Sequence, residues 1–122
     1  MQRQDIPEFF NCGFEFVIYC LKCPCGLLYV GRTIRALRKR FGEHRNTVEK
    51  GLDNYSIARH FKEHHGQSPE GLRVWFLEAI SKLLASAERY KRLCERENYW
   101  IFTLDSLSPG GLNEGIEINI LL

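Results

Sequence analysis

No stretch of this 122-residue chain reaches the roughly 20 consecutive apolar residues that a membrane-spanning helix requires. The opening residues, MQRQDIPEFFNC, lack the apolar core and small-residue cleavage site of a secretory signal. There is no internal repeat and no low-complexity tract. With 44% hydrophobic and 26% charged residues, the composition also lacks the bias that keeps a chain unfolded. The five cysteines are an odd number and accompany no secretory signal. A disulfide framework is therefore disfavoured, and the thiols read as reduced or metal-bound in an intracellular compartment. A glycine-rich phosphate loop, a Ser-His-Asp order and an H-E-x-x-H motif are all absent, which excludes P-loop nucleotide chemistry, triad hydrolysis and zincin-type proteolysis.

What is present fits one compact domain with a single core. Charge is the first uneven property. Residues 32–50 hold seven Lys or Arg against Glu43 and Glu49, a local +5 on a chain whose total is +2. A basic patch on a near-neutral protein is either a seat for a polyanion or a solvated helix face.

Residues 1–13 read as an irregular lead-in, broken by Pro7. From Phe14 to Leu21, F-E-F-V-I-Y-C-L is rich in aromatic and β-branched residues and predicts a strand; Lys22–Gly26 is a turn and Leu27–Gly31 a second strand. So short a connection makes the two an antiparallel hairpin. Tyr19 and Tyr29 share a face of it only if the register allows. Thr33 is a candidate N-cap for a helix ending at Lys50, with Gly51 as its stop and an apolar stripe of Leu37, Phe41, His44 and Val48. Arg40 and His44, four apart, are neighbours on its surface. A shorter helix over 55–65 follows, capped by Asn54 or Ser56, then a loop through Gly66, Pro69 and Gly71. Residues 72–80 predict a third strand, Ser81 a cap, and residues 83–104 a long helix. After a turn at residues 108–111, IEINILL predicts a final strand or apolar tail. The class is α+β: a small antiparallel three-stranded sheet flanked by helices, with residues 14–122 as one domain.

Three groups of residues depart from an ordinary core. Glu97 falls within the apolar stripe of the long helix, alongside Ala87, Tyr90, Leu93, Cys94, Trp100, Ile101 and Leu104. A carboxylate facing a core must be paired, so it is either a buried partner of an arginine or a ligand of a divalent cation. Cys23-Pro-Cys25 places two thiols at a turn, and His60, His64 and His65 lie on or just after the second helix. Together they compose a Cys2His2 zinc site, or else buried small hydrophobes and a polar helix end. The third group is the polar set Tyr19, Tyr29, Arg40, His44, Glu97 and Asn113. Taken singly, each tyrosine reads as a core aromatic with its hydroxyl satisfied.

Taken together, the set resembles the GIY-YIG endonuclease family from Phe16 to Asn113. The first motif stands as Val17-Ile18-Tyr19 and the second as Tyr29-Val30-Gly31. The family's R-x-x-x-H matches Arg40 to His44, its metal-binding glutamate matches Glu97 in ERENYWI, and its late asparagine matches Asn113 in PGGLN. Five separated matches in order are specific, although Val17 replaces a glycine that is structural in the family. The segment CPCGLLYVGRT and the later RHF-x-x-x-H are similar to the endonuclease domain of Penelope-like retroelements, which carries a Cys-Cys-His-His zinc motif.

The resemblance implies metal-dependent hydrolysis of double-stranded DNA. Glu97 is then the ligand of one catalytic Mg²⁺ or Mn²⁺, and Arg40 neutralises the scissile phosphate. Tyr19 by preference, with Tyr29 beside it, activates the attacking water; His44 relays its proton or orients phosphate, and Asn113 fixes site geometry. It places a structural Zn²⁺ on Cys23, Cys25, His60 and His65, with His64 the rival of His65. Arg32, Arg35, Arg38, Lys39 and Arg45 of the basic run are the expected DNA contacts. It further implies a nicking enzyme that serves target-primed reverse transcription, a nuclear location, and a reverse-transcriptase domain and element RNA as partners. The competing expectations are a repair or junction-resolving nuclease of the same family, and a non-catalytic zinc-stabilised nucleic-acid-binding module.

Overall fold

A computed structural model describes residues 14–115. The lead-in over 1–13 and the strand expected from IEINILL lie outside the described residues. The elements follow in the order β1 (Val17–Lys22), β2 (Leu28–Thr33), α1 (Leu37–Lys50), α2 (Ser56–His64), β3 (Arg73–Ala79) and α3 (Ser86–Thr103). The three strands form one antiparallel sheet in the order β2-β1-β3, which bears out the α+β class.

Strand β1 is central because its sequence, VIYCLK, has no polar side until its last residue: five of its six residues are buried. Antiparallel strands solvated on one face alternate apolar with polar; a strand covered on both faces does not. Helices accordingly pack on each face. Val17, Tyr19 and Leu21 face Leu37 and Val48 of α1 and Ile57 and Phe61 of α2. Ile18 and Val30 face Leu93 and Ile101 of α3 on the other side. Each such buried side chain contributes about 1.5–3 kcal/mol of transfer free energy.

The hairpin turn closes through the Cys23 N–H on Leu27 O and the Gly26 N–H on Cys23 O, at 3.1 and 2.9 Å. Gly26 takes φ 98°, a conformation with a steric penalty for any side chain. The register pairs Tyr19 with Gly31 and Leu21 with Tyr29. Residues two apart share a face, so both tyrosines point to the α1 side.

The expected caps are corrected. Thr33 closes β2 rather than starting a helix, its Oγ1 accepting the Arg35 N–H at 3.1 Å, and α1 begins after Ala36. Tyr55 precedes α2 with no side-chain cap, while Ser56 donates its hydroxyl to Leu112 O at 2.7 Å. Ser81 accepts the Leu83 N–H in a turn, and α3 starts only at Ser86. Hydroxyls beside a helix start compete for local turns as readily as for caps, and at Thr33 and Ser81 the turns win. Gly51 does stop α1, at φ 61°.

Candidate active site and metal centre

The polar set converges where β2 forms an edge of the sheet. The ring of Tyr19 lies across the backbone of Gly31, close enough that a Cβ there would stand 2.5 Å from its Cζ and hydroxyl. That contact gives the glycine of Tyr29-Val30-Gly31 a steric purpose: it lets a tyrosine from the central strand reach over the edge strand. The Tyr19 hydroxyl ends 2.7 Å from His44 Nε2. His44 also stands edge-on to both tyrosines, its ring centroid 5.7 Å from each. Burial, with the Arg40 charge beside it, lowers the His44 pKa from 6.5 to about 3. His44 is therefore neutral at physiological pH, and its tautomer sets which of the two partners donates in the Tyr19 hydrogen bond.

Burial raises the pKa of both phenols, and the Arg40 guanidinium opposes the shift in each. Tyr19 is fully buried, so its hydroxyl meets His44 rather than solvent. Tyr29 is half-buried and lines an open cavity of about 310 Å³ with Arg32, Glu97, Asn113 and Glu114. Arg40 does not line it. Arg40 donates to Glu43 at 3.0 Å, and Arg35 binds the same carboxylate at 2.7 Å. Those two cations pull the Glu43 pKa down to about 2 despite its exposure.

Glu97 is 7% exposed and holds Arg32 Nη1 at 2.5 Å. Arg32, expected as a DNA contact, thus turns onto the carboxylate; it alternates with Gly31 on β2 and so faces α3 rather than α1. Its Nη2 reaches the Tyr90 hydroxyl at 3.3 Å. The stripe on α3 is shorter than its spacing predicts. Ala87 and Tyr90 are exposed, while Asn98 is buried beside Glu97.

Asn113 supports the edge from outside. Its Oδ1 accepts the Val30 N–H at 2.8 Å and the Ser106 hydroxyl at 2.6 Å, and its Nδ2 donates to Val30 O at 2.8 Å. With the Leu112 N–H on Leu28 O, two residues do for β2 what a fourth strand would do. Neither Ser106 nor Glu114 stood out in the sequence; only their closeness to Asn113 in the chain pointed to them.

Cys23, Cys25, His60 and His65 form a group that could hold a metal ion, their ligand atoms all within 4.8 Å of one another. His60 Nε2 lies 3.5 Å from Cys23 Sγ and 3.2 Å from Cys25 Sγ. A tetrahedral zinc site places sulfur and nitrogen about 3.5 Å apart. The two sulfurs, at 2.8 Å, are closer than the roughly 3.8 Å such a site needs. Nε2 of His65 is buried without a hydrogen-bond partner, a costly state that a metal bond would relieve. His64 projects outward, 60% exposed, and is not in the group. Desolvation raises the Cys23 pKa and lowers that of His60. Cys20 and Cys94 stand apart as buried thiols; burial drives the Cys20 pKa up to about 12.

Of the remaining basic residues, Arg38 and Lys39 are exposed on α1, while Arg45 lies over the Phe41 ring at 5.9 Å. Among the described residues, no helix is long and apolar enough to cross a membrane. No protein-family model, curated protein or solved structure matches the chain.

Proposed function

We propose that this chain is a metal-dependent DNA endonuclease of the GIY-YIG type that hydrolyses one phosphodiester bond per event. The observation that carries the reading is the convergence of Tyr19, Tyr29, Arg40, His44 and Glu97, from four separate elements, on one edge of the sheet. A hydrophobic core has no use for that combination. Nuclease chemistry uses each member: a carboxylate for a cation, a guanidinium for phosphate, and hydroxyls near water.

The donor set fits a hard divalent ion, since Mg²⁺ is commonly held by one or two carboxylates and retains several waters in a cavity of this kind. Bound at Glu97, such an ion would stabilise charge developing on the phosphate. The chain's own residues do the rest. Tyr29, facing the cavity, orients the attacking water, and Tyr19 serves behind it. With an unperturbed phenol pKa of about 10 and burial raising it, Tyr29 acts as a base only with cations close by. Arg40 and Arg32 supply that positive field. His44, neutral and bonded to Tyr19, holds the buried phenol in place. Arg40 exchanges Glu43 for the phosphate. Asn113 holds β2 and therefore the position of Tyr29.

Zinc is the ion we assign to the Cys23, Cys25, His60 and His65 group, on its two thiolates and two imidazoles. It would tie the hairpin turn to the end of α2. By motif likeness the nuclease belongs with those of Penelope-like retroelements, where a nick would supply the 3′ end for reverse transcription in the nucleus. A repair or junction-resolving role is separated from this by comparing branched with simple duplex substrates. A non-catalytic zinc-stabilised binding module is the second reading, favoured by the Arg32–Glu97 pair, which gives the carboxylate a partner without any metal.

The deciding experiment is nicking of supercoiled plasmid with Mg²⁺, Mn²⁺ or chelator. The nuclease reading expects metal-dependent open-circle product that Glu97→Ala abolishes while DNA binding persists. Retained nicking by that variant defeats the metal role; no nicking by the parent chain favours the binding module.

A further inference from the structure

A cation already stands at the carboxylate that the proposed chemistry assigns to a metal. Arg32 Nη1 meets Glu97 Oε1 at 2.5 Å, with side chains only 24% and 10% exposed. Both residues line the same cavity. A divalent ion bound to that oxygen would face the guanidinium across a few ångströms of protein, where two positive charges repel strongly. The two cannot share the site.

Resting on the nuclease reading, we propose that Arg32 is a resident counter-ion in the metal's seat, which must turn onto Tyr90 before a divalent ion is held by Glu97. The alternative seat is already built. Tyr90 is 46% exposed, its hydroxyl accepts from Arg32 Nη2 at 3.3 Å, and its ring centroid lies 5.8 Å from Arg32 Cζ. A guanidinium over a tyrosine face keeps a favourable electrostatic contact after it leaves the carboxylate. A short swing about the arginine side chain connects the two positions, since one Nη already touches each partner.

The device has a physical rationale. A carboxylate buried without a cation is costly and would otherwise be neutralised by a proton or drawn out of place. Arg32 keeps Glu97 ionised and positioned while no metal is bound. The consequence is a weakened apparent metal affinity: a site open one-tenth of the time binds about tenfold more weakly than its intrinsic constant.

The test is Mn²⁺ titration of the full, zinc-loaded chain, read as free Mn²⁺ by electron paramagnetic resonance. Arg32→Gln, Tyr90→Ala and Glu97→Gln are compared with the parent. Arg32→Gln is expected to bind on the order of tenfold more tightly, because the seat is vacated. Tyr90→Ala is expected to bind about threefold more weakly, because the displaced guanidinium loses its second seat. Glu97→Gln is expected to remove the site. Opposite shifts from two variants on one contact are not the result of a general loss of structure. Equal or weaker binding by a folded Arg32→Gln overturns the proposal while leaving the metal at Glu97 standing. Should Arg32→Gln not fold, an unchanged affinity in Tyr90→Ala overturns it instead. If no Mn²⁺ binding depends on Glu97 in any variant, both the seat and the nuclease reading fall.

Discussion

At the scale of single residues, the Tyr19–His44 pair couples the candidate site to pH. The folded state holds His44 neutral down to about pH 3, whereas the unfolded chain takes up that proton near 6.5. Folding stability therefore falls as pH drops below 6.5, by up to about 1.4 kcal/mol per unit from this one group, until the folded state also protonates. Tyr19, Tyr29, Arg40 and Glu43 are the titratable or charged groups facing it. Urea unfolding midpoints measured from pH 7 to 4 should show a distinctly shallower decline for His44→Gln than for the parent. Gly31 offers a second, purely steric test. A methyl group there would meet the buried Tyr19 ring, so Gly31→Ala should lose about 1–3 kcal/mol of stability in the same assay. Arg40 is distinguished from its neighbours by position rather than charge. Arg40→Ala should lower a nicking rate by about 100-fold or more, and Arg38→Ala by much less. Similar losses would mean that only the general positive field matters.

At the scale of elements, the hairpin, the class and most of the helix extents were legible, because periodicity, β-branched runs and Gly51 are local signals. The face shared by Tyr19 and Tyr29 was not, since it depends on a register that only the paired strands define. Caps misled because Thr33 and Ser81 closed local turns and Ser56 bonded the distant Leu112 carbonyl. The anomaly of Glu97 was visible as a charge in an apolar stripe, yet its partner Arg32 lies 65 residues away, out of reach of any local pattern. Likewise, nothing in the spacing of His64 and His65 separated them; the fold does, by turning one to solvent and burying Nε2 of the other. Cys23, Cys25, His60 and His65 join the hairpin turn to the end of α2, so removal of an ion held there should loosen that junction first. Chelation, or Cys25→Ser, should lower the melting temperature by on the order of 10 °C, with early loss of amide protection at 23–27 and 60–65. An unchanged melt would mean the four side chains hold no structural ion.

At the scale of the whole molecule, a single buried strand separates two cores, and the candidate site lies where their boundary reaches the surface at β2. This placement lets α1 supply Arg40 and His44 from one side while α3 supplies Glu97 from the other. The basic run is less free than its composition implies. Arg32 is committed to Glu97, and Arg35 and Arg40 share Glu43, which, with Lys50 exposed at the far end of α1, leaves Arg38 and Lys39 as the exposed cations of its first turn. Affinity for duplex DNA, followed by fluorescence anisotropy against salt, should lose about two units of log–log slope when both are changed to Ala.

Asn113 has a consequence for assembly. By occupying both backbone groups of Val30, it denies that edge of the sheet to any incoming chain. Among the described residues β3 pairs with β1 alone, so its far side is where a neighbouring domain could extend the sheet by strand addition. One edge is thus closed by a side chain of the same chain, and among the described residues any growth of the sheet is left to the other.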